Sequence, residues 1–256
     1  MKKTLFLLLA IAMSVSLSAQ HDFTLRHLPL TFQRSYSNPA LTPNVKVHIG
    51  LPAISHNYFA VKNSGFKLKH LGTVVNDTFY FSPSNMISHM PEKNSFMGAL
   101  SSDLFSFGLK LGKNYVSVNV VEKTFMDFRY PKDFFEFIFY GNGAFLGEEQ
   151  NFDFQVNGMH YTVIGAAYTR QWTDKLQAGV RLKYYVGRES LQTERSEFTL
   201  QTDPNDFTIT ATSDFRLNTS GLGLNYGSTF NEILNTGNTG VGVDVGAIFE
   251  LNEKLV

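Results

Sequence analysis

The residues best placed for chemistry are charges that interrupt long apolar alternations. Arg181 and Lys183 lie within residues 176–187, and Asp244 and Glu250 within residues 241–251. In the first run Gln177, Gly179, Arg181, Lys183, Tyr185 and Gly187 share one face, while Leu176, Ala178, Val180, Leu182, Tyr184 and Val186 share the other. In the second, Gly242, Asp244, Gly246, Ile248 and Glu250 oppose Val241, Val243, Val245, Ala247, Phe249 and Leu251. If the apolar faces meet lipid, the charges point into an enclosed interior, where they meet water, one another or a permeant molecule. The signs are mixed, which favours a solvated, salt-bridged interior over a selectivity lining. The lumen-facing candidates are therefore Gln177, Arg181, Lys183, Tyr185, Asp244 and Glu250.

Other constellations point to turns rather than to catalysis. The histidines at 21, 27, 48, 56, 70, 89 and 160 form no HExxH pair, and there is no cysteine to join them, so no zinc site is expected. His48, between Val47 and Ile49, reads as a polar residue facing the interior or the rim. No Gly-x-Ser-x-Gly elbow occurs, and residues 237–242 lack the lysine and spacing of a phosphate-binding loop. Asp203-Pro204-Asn205-Asp206 has oxygens that suit Ca²⁺, but this composition chiefly forms turns. No catalytic, cofactor or metal residue is assigned, and the chain reads as non-enzymatic. An outer-membrane lipid hydrolase would need a Ser–His pair on neighbouring strands.

Composition narrows the class. Lys+Arg 22 balance Asp+Glu 22, so nothing recommends a nucleic-acid partner. Aromatics reach 14% while charged residues are only 17%, against about 25% charged in an ordinary soluble domain. Zero Cys excludes disulfides, thiolate metal sites and a lipoprotein anchor.

Residues 1–19 read as a signal peptide: Lys2 and Lys3 are followed by an apolar stretch over 4–15, then Ser16, Ser18 and Ala19, with cleavage expected after Ala19. This stretch is too short to span a bilayer as a helix, and no later one is longer. An exported chain of this kind enters a membrane only as a closed barrel.

Alternation supplies the barrel's elements. Besides the two runs above, residues 105–111 alternate Phe105, Phe107, Leu109 and Leu111 with Ser106, Gly108 and Lys110. Weaker alternation covers 45–51, 115–125, 160–172, 198–202 and 207–212. Strands of about ten residues suit a tilted bilayer crossing, whereas soluble strands average five or six. Short turns at 112–114, 173–175 and 252–254 alternate with long links at 62–95, 126–158 and 228–239, the outer-membrane arrangement. Within one link, Pro131 and Gly141 bracket an aromatic segment that reads as a short helix; residues 231–234 read as another helical turn. Only Leu255 and Val256 follow the turn at 252–254, so a return strand is missing and the chain reads as the N-terminal part of a longer protein.

Asn38-Pro39-Ala40, Ile49-Gly50-Leu51-Pro52, Leu104 to Gly108, Tyr130 to Phe134 leading to Gly141-Asn142-Gly143, and Gly179 to Tyr184 carry a resemblance. On them the chain resembles an uncharacterised outer-membrane β-barrel family of the Bacteroidota, related to the FadL-like and PorV/PorP-like barrels. The resemblance implies an all-β fold, an antiparallel transmembrane β-barrel of which residues 45–256 supply an incomplete part, with one or two short helices in loops. In FadL-like transporters an N-terminal plug can occupy the lumen, and residues 20–44 are the candidate for such a plug here, with that role left open. The expected function is non-enzymatic passage of a small hydrophobic molecule through the outer membrane. The alternative is an accessory or anchor of surface-protein secretion, with a secretion-system component as partner; a secreted soluble β-protein stands further off. Outer-membrane lipid is the expected surrounding. On the two-faced reading, Arg in place of Val180 or Leu182 is costly and Arg in place of Gln177 is cheap.

Overall fold

The computed structural model describes residue 28 and residues 30–52, 54–222 and 237–250. The signal segment, His21, His27, the helical turn expected at 231–234 and the 252–254 turn with Leu255 and Val256 lie outside the described residues.

Long alternating stretches leave backbone groups that only neighbouring strands can satisfy, and they pair as an antiparallel meander. Its centre is β5 (Lys93–Leu111), β6 (Asn114–Pro131), β8 (Gln155–Gln171) and β9 (Leu176–Thr202). On the outer edge of β5, β1 (Val47–Gly50) pairs with Ser106 to Leu109, and β2 (Asn57–Asn63) pairs with Phe96 to Ser102. Along β9, β11 (Thr239–Phe249) pairs with Leu176 to Val186, and β10 (Ile209–Ser220) with Ser190 to Thr202. The short β7 (Glu149–Asn151) also pairs with β9. The sheet curls into a half barrel.

Several strands are longer than their alternation announced. β5, β6, β8 and β9 hold 19, 18, 17 and 27 residues, so the expected links at 62–95 and 126–158 shrink, and β2 lies in a stretch that showed no clean alternation. The two rims differ as expected. Gly112, at φ 60°, and Lys113 join β5 to β6, and residues 172–175 join β8 to β9 at the same end. At the opposite end lie the connections 64–92, 132–154 and 203–208.

The first of these contains the hairpin β3 (Gly72–Val75) and β4 (Thr78–Phe81), turned by Asn76 and Asp77 at φ 50° and 60°. A helix, Pro83–Ser88, follows it, with Ser82 Oγ accepting from the Asn85 N–H. The second contains the helix Lys132–Tyr140, stopped by Gly141 at φ 77°. Pro131 is its N-cap and the last residue of β6 rather than the first helical residue. These helices bury Met86, Ile87, Met90 and Tyr130, with Phe66, Phe128, Phe135 and Phe154 packed around them. The aromatic enrichment thus serves in part a core at the long-connection end.

Elsewhere burial is inverted. Asp103, Ser106, Ser117, Asn119, Thr169 and Arg181 are buried, whereas Val241, Val243 and Val245 are 85%, 63% and 80% exposed and Leu182 is 59% exposed. An ordinary domain buries the second set and exposes the first. Val186 departs from its face by being fully covered. A bulge at Leu104, where the β5–β6 register shifts, keeps the phase: Ser101 and Asp103 before it and Ser106 and Gly108 after it are all buried on the inner face. Among the described residues no helix is long and apolar enough to cross a membrane.

Candidate functional site

Five of the six lumen candidates meet on the inner face of β9 and β11. Lys183 Nζ sits 2.6 Å from Asp244 Oδ1 and 5.7 Å from the centre of the Tyr185 ring. Arg181, 4% exposed, donates to Ser35 Oγ at 2.8 Å and lies 4.8 Å over the Tyr36 ring. Gln177 donates to Ala40 O at 2.8 Å and Thr42 Oγ1 at 3.0 Å. Glu250 departs from the set. It follows the last residue of β11, is exposed, and contributes its backbone N–H to Lys175 O at 2.9 Å on the short-turn rim.

Ser35, Tyr36, Ala40 and Thr42 belong to the segment preceding β1, which crosses the inner face of the sheet. Its helical turn Arg34–Ser37 is followed by Asn38, whose side chain accepts from the Ala40 N–H and donates to Ala247 O. Thr169 Oγ1 donates to Pro39 O at 2.6 Å. Asn38-Pro39 lies against a glycine pair: Gly179 and Gly246 are cross-strand partners, and a Cβ on Gly179 would stand 2.6 Å from Pro39 O. Only glycine permits that approach. Phe32 is fully buried and stacks on His48 at 4.8 Å, while His48 Nε2 meets Ser106 Oγ at 2.9 Å, which places His48 on the inner face.

Asp103 anchors the other end of the segment. It is fully buried, and Oδ2 accepts from Gln33 Nε2 at 2.7 Å and Tyr36 OH at 2.9 Å, with His56 Nδ1 3.7 Å from Oδ1. Replacing Asp103 with Leu strands two donors in the interior, at about 1–3 kcal/mol. A lowered melting temperature with earlier proteolysis of the 30–43 segment is expected, and unchanged values for both would contradict the anchoring role.

The sequence reading missed Asp103, Tyr36, Lys123 and Tyr161. Asp103 sits beside the bulge, where parity changes, so its face was illegible. Lys123 reaches the inner face through its pairing with Tyr161. Also missed was an ionic cluster on the opposite face. His160 Nε2 contacts Glu122 Oε2 at 2.8 Å, His160 Nδ1 lies 3.7 Å from Glu189, and Thr162 Oγ1 donates to Glu122 Oε1 at 2.7 Å. Period-two alternation gives no hint of three strands converging.

The Asp203–Asp206 cluster is a turn. Asp203 Oδ1 accepts the N–H groups of Asn205 and Asp206, and Asp206 Oδ1 that of Thr208, at 2.7, 3.3 and 2.9 Å. These bonds hold both carboxyls below their ordinary range. Among the described residues no group of three His, Asp or Glu side chains forms a metal-binding cluster.

No curated protein and no solved structure matches this chain. A family of unknown function, DUF5723, matches residues 39–256, from Pro39 through every strand of the curled sheet. The chain belongs to this family of unknown function, DUF5723.

Proposed function

We propose that this chain forms wall and interior of an outer-membrane β-barrel that passes a small molecule without transforming it. The inverted burial carries the reading: a row of exposed valines on β11 beside Leu182 suits acyl chains, and a buried polar face suits an enclosed aqueous interior. The band's height supports it as well. On β6 the apolar outer row begins after Asn114 near the short-turn rim and ends at Glu122, in the ionic cluster. At about 3.4 Å per residue and a tilt near 40° this spans about 21 Å, close to the roughly 25 Å belt of such barrels. Trp172, beside Arg170, and Tyr168 lie at the lower boundary, where aromatic girdles form. The 30–43 segment is then a plug.

The polar interior favours a cargo with a polar or charged group over a wholly apolar one. In the second reading the protein serves surface-protein secretion. It is favoured by the β9–β10 hairpin, whose strand β10 is exposed along its whole length and carries the ion pairs Arg195–Asp214 and Arg216–Glu194. Cell fractionation with alkaline extraction tests the location. The protein is expected to stay with outer membranes, and folded, monomeric protein in detergent-free buffer would remove the barrel reading. Loss of surface-protein secretion on shortening the hairpin, with solute uptake intact, would favour the second reading.

A further inference from the structure

An open-sided pocket of about 640 Å³ lies at the long-connection end, where β5, β6 and β8 meet the connection 132–154. That volume is within the roughly 300–1,000 Å³ of small-molecule sites. Its cations come from the strands. Lys93 pairs with Pro131 and Ser95 with Arg129, so Lys93 and Arg129 are diagonal neighbours on one face of the sheet. Its carboxylates come chiefly from the connection. Asp133 Oδ2 accepts the Asn151 N–H at 3.3 Å and Asp153 Oδ1 the Phe198 N–H at 3.2 Å, so each is fixed by one oxygen and keeps the other unengaged.

These opposite charges do not close on one another. Among the described residues Arg129 is bonded through Nε to Asp127 at 2.9 Å, which leaves its two Nη groups unengaged, and Lys93, Asp133 and Asp153 form no salt bridge. Lys132, the next cation, has its Nζ 3.0 Å from Glu136 and 3.9 Å from Glu92. The bond to Glu136, with Glu92 and Asp133 adding, holds the Lys132 ammonium above its ordinary range, so carboxylates outnumber cations on that side.

We propose that this pocket binds a small zwitterion, an amino acid or short peptide with a free ammonium and a free carboxylate. The Nη groups of Arg129 donate to the ligand carboxylate at two points, with Lys93 beside them, while the unengaged oxygens of Asp133 and Asp153 accept from its ammonium. A neutral polyol leaves both poles without a counter-charge, and an ion of one sign is drawn to one pole and repelled by the other. Arg129 and Lys93 are exposed and the two aspartates half-buried, so each contact is weak. Weak binding suits a passage, because a cargo held at this end must also leave it. As a station for cargo the pocket rests on the passage reading; as a binding site it does not.

Titration calorimetry of the full chain in detergent micelles tests this with tri-alanine as the probe. Saturable binding is expected, weakened about fivefold by N-acetylation or by C-terminal amidation and lost when both ends are blocked. Asp153→Asn is expected to weaken it by a similar factor and the double variant Asp133→Asn/Asp153→Asn further, because an Asn oxygen still accepts the backbone N–H while the charge is gone. Lys113→Gln, at the short turn, should leave binding unchanged. An unchanged melting temperature reports that each variant is folded. No saturable binding of tri-alanine, equal binding of the doubly blocked peptide or of maltose, or parent affinity in the folded double variant overturns the proposal. Because the assay needs no bilayer, its failure is distinct from failure of membrane extraction.

Discussion

Leu182→Arg is expected to lower folding stability in a bilayer by about 2–4 kcal/mol, the cost of a basic side chain near the midplane on the lipid face of a barrel. Leu182 lies between its cross-strand partners Ala166 and Val243 and is 59% exposed, so no neighbour shields a charge placed there. Arg in place of Val243 on the adjacent strand is expected to act similarly. The measurement is urea-driven unfolding from phospholipid vesicles, with Thr210→Arg on the exposed hairpin strand β10 as the control outside the apolar band. Equal stabilities for Leu182→Arg and Thr210→Arg would show that the outer face does not meet lipid. Gln177→Arg, expected from sequence to be cheap, is no neutral control. The Gln177 amide is bound to Ala40 and Thr42, so its replacement disturbs the N-terminal segment.

Gly179→Ala should expel that segment while leaving the sheet paired. The new Cβ would stand 2.6 Å from Pro39 O, 2.8 Å from Pro39 C and 2.8 Å from Thr169 Oγ1. Two of those atoms are backbone and the third is bonded to Pro39 O, so the strain is relieved only by lifting residues 38–40 away. Overpacking of this kind costs about 1–3 kcal/mol, and the loss falls on the segment's hold rather than on the ladder hydrogen bonds. Limited trypsin digestion is expected to cut at Arg34 much faster in the variant. In Gly98→Ala, where the new methyl meets nothing within 4 Å, cleavage should stay at the parent rate. Equal cleavage in all three proteins would mean that the glycine pair does not seat the segment.

Alternation made the main strands legible because a strand turns every second side chain to the same side. The faces of 176–187 and 241–249 follow from it, as do the turns after Leu111 and before Leu176. The helix between Pro131 and Gly141 was legible from its punctuation. The reach of β5 and β6 was not, since residues 93–104 and 126–131 mix polar and apolar types irregularly. There the outer row turns from the apolar band towards the aromatic core of the loop helices, and two environments along one strand blur the period.

What the amino-acid order determined by itself is local: strand identity, the two faces, the short and long connections and the inward set Gln177, Arg181, Lys183, Tyr185 and Asp244. Tertiary structure alone decided that Asn38-Pro39 rests on Gly179 and Gly246, that Asp103 receives Gln33 and Tyr36, and that Lys123 lines the same inner-face cleft as Arg181 and Lys183. The reason is range. Alternation acts between adjacent residues, whereas Pro39 and Thr169 are 130 positions apart in the chain and meet only after the sheet has curled.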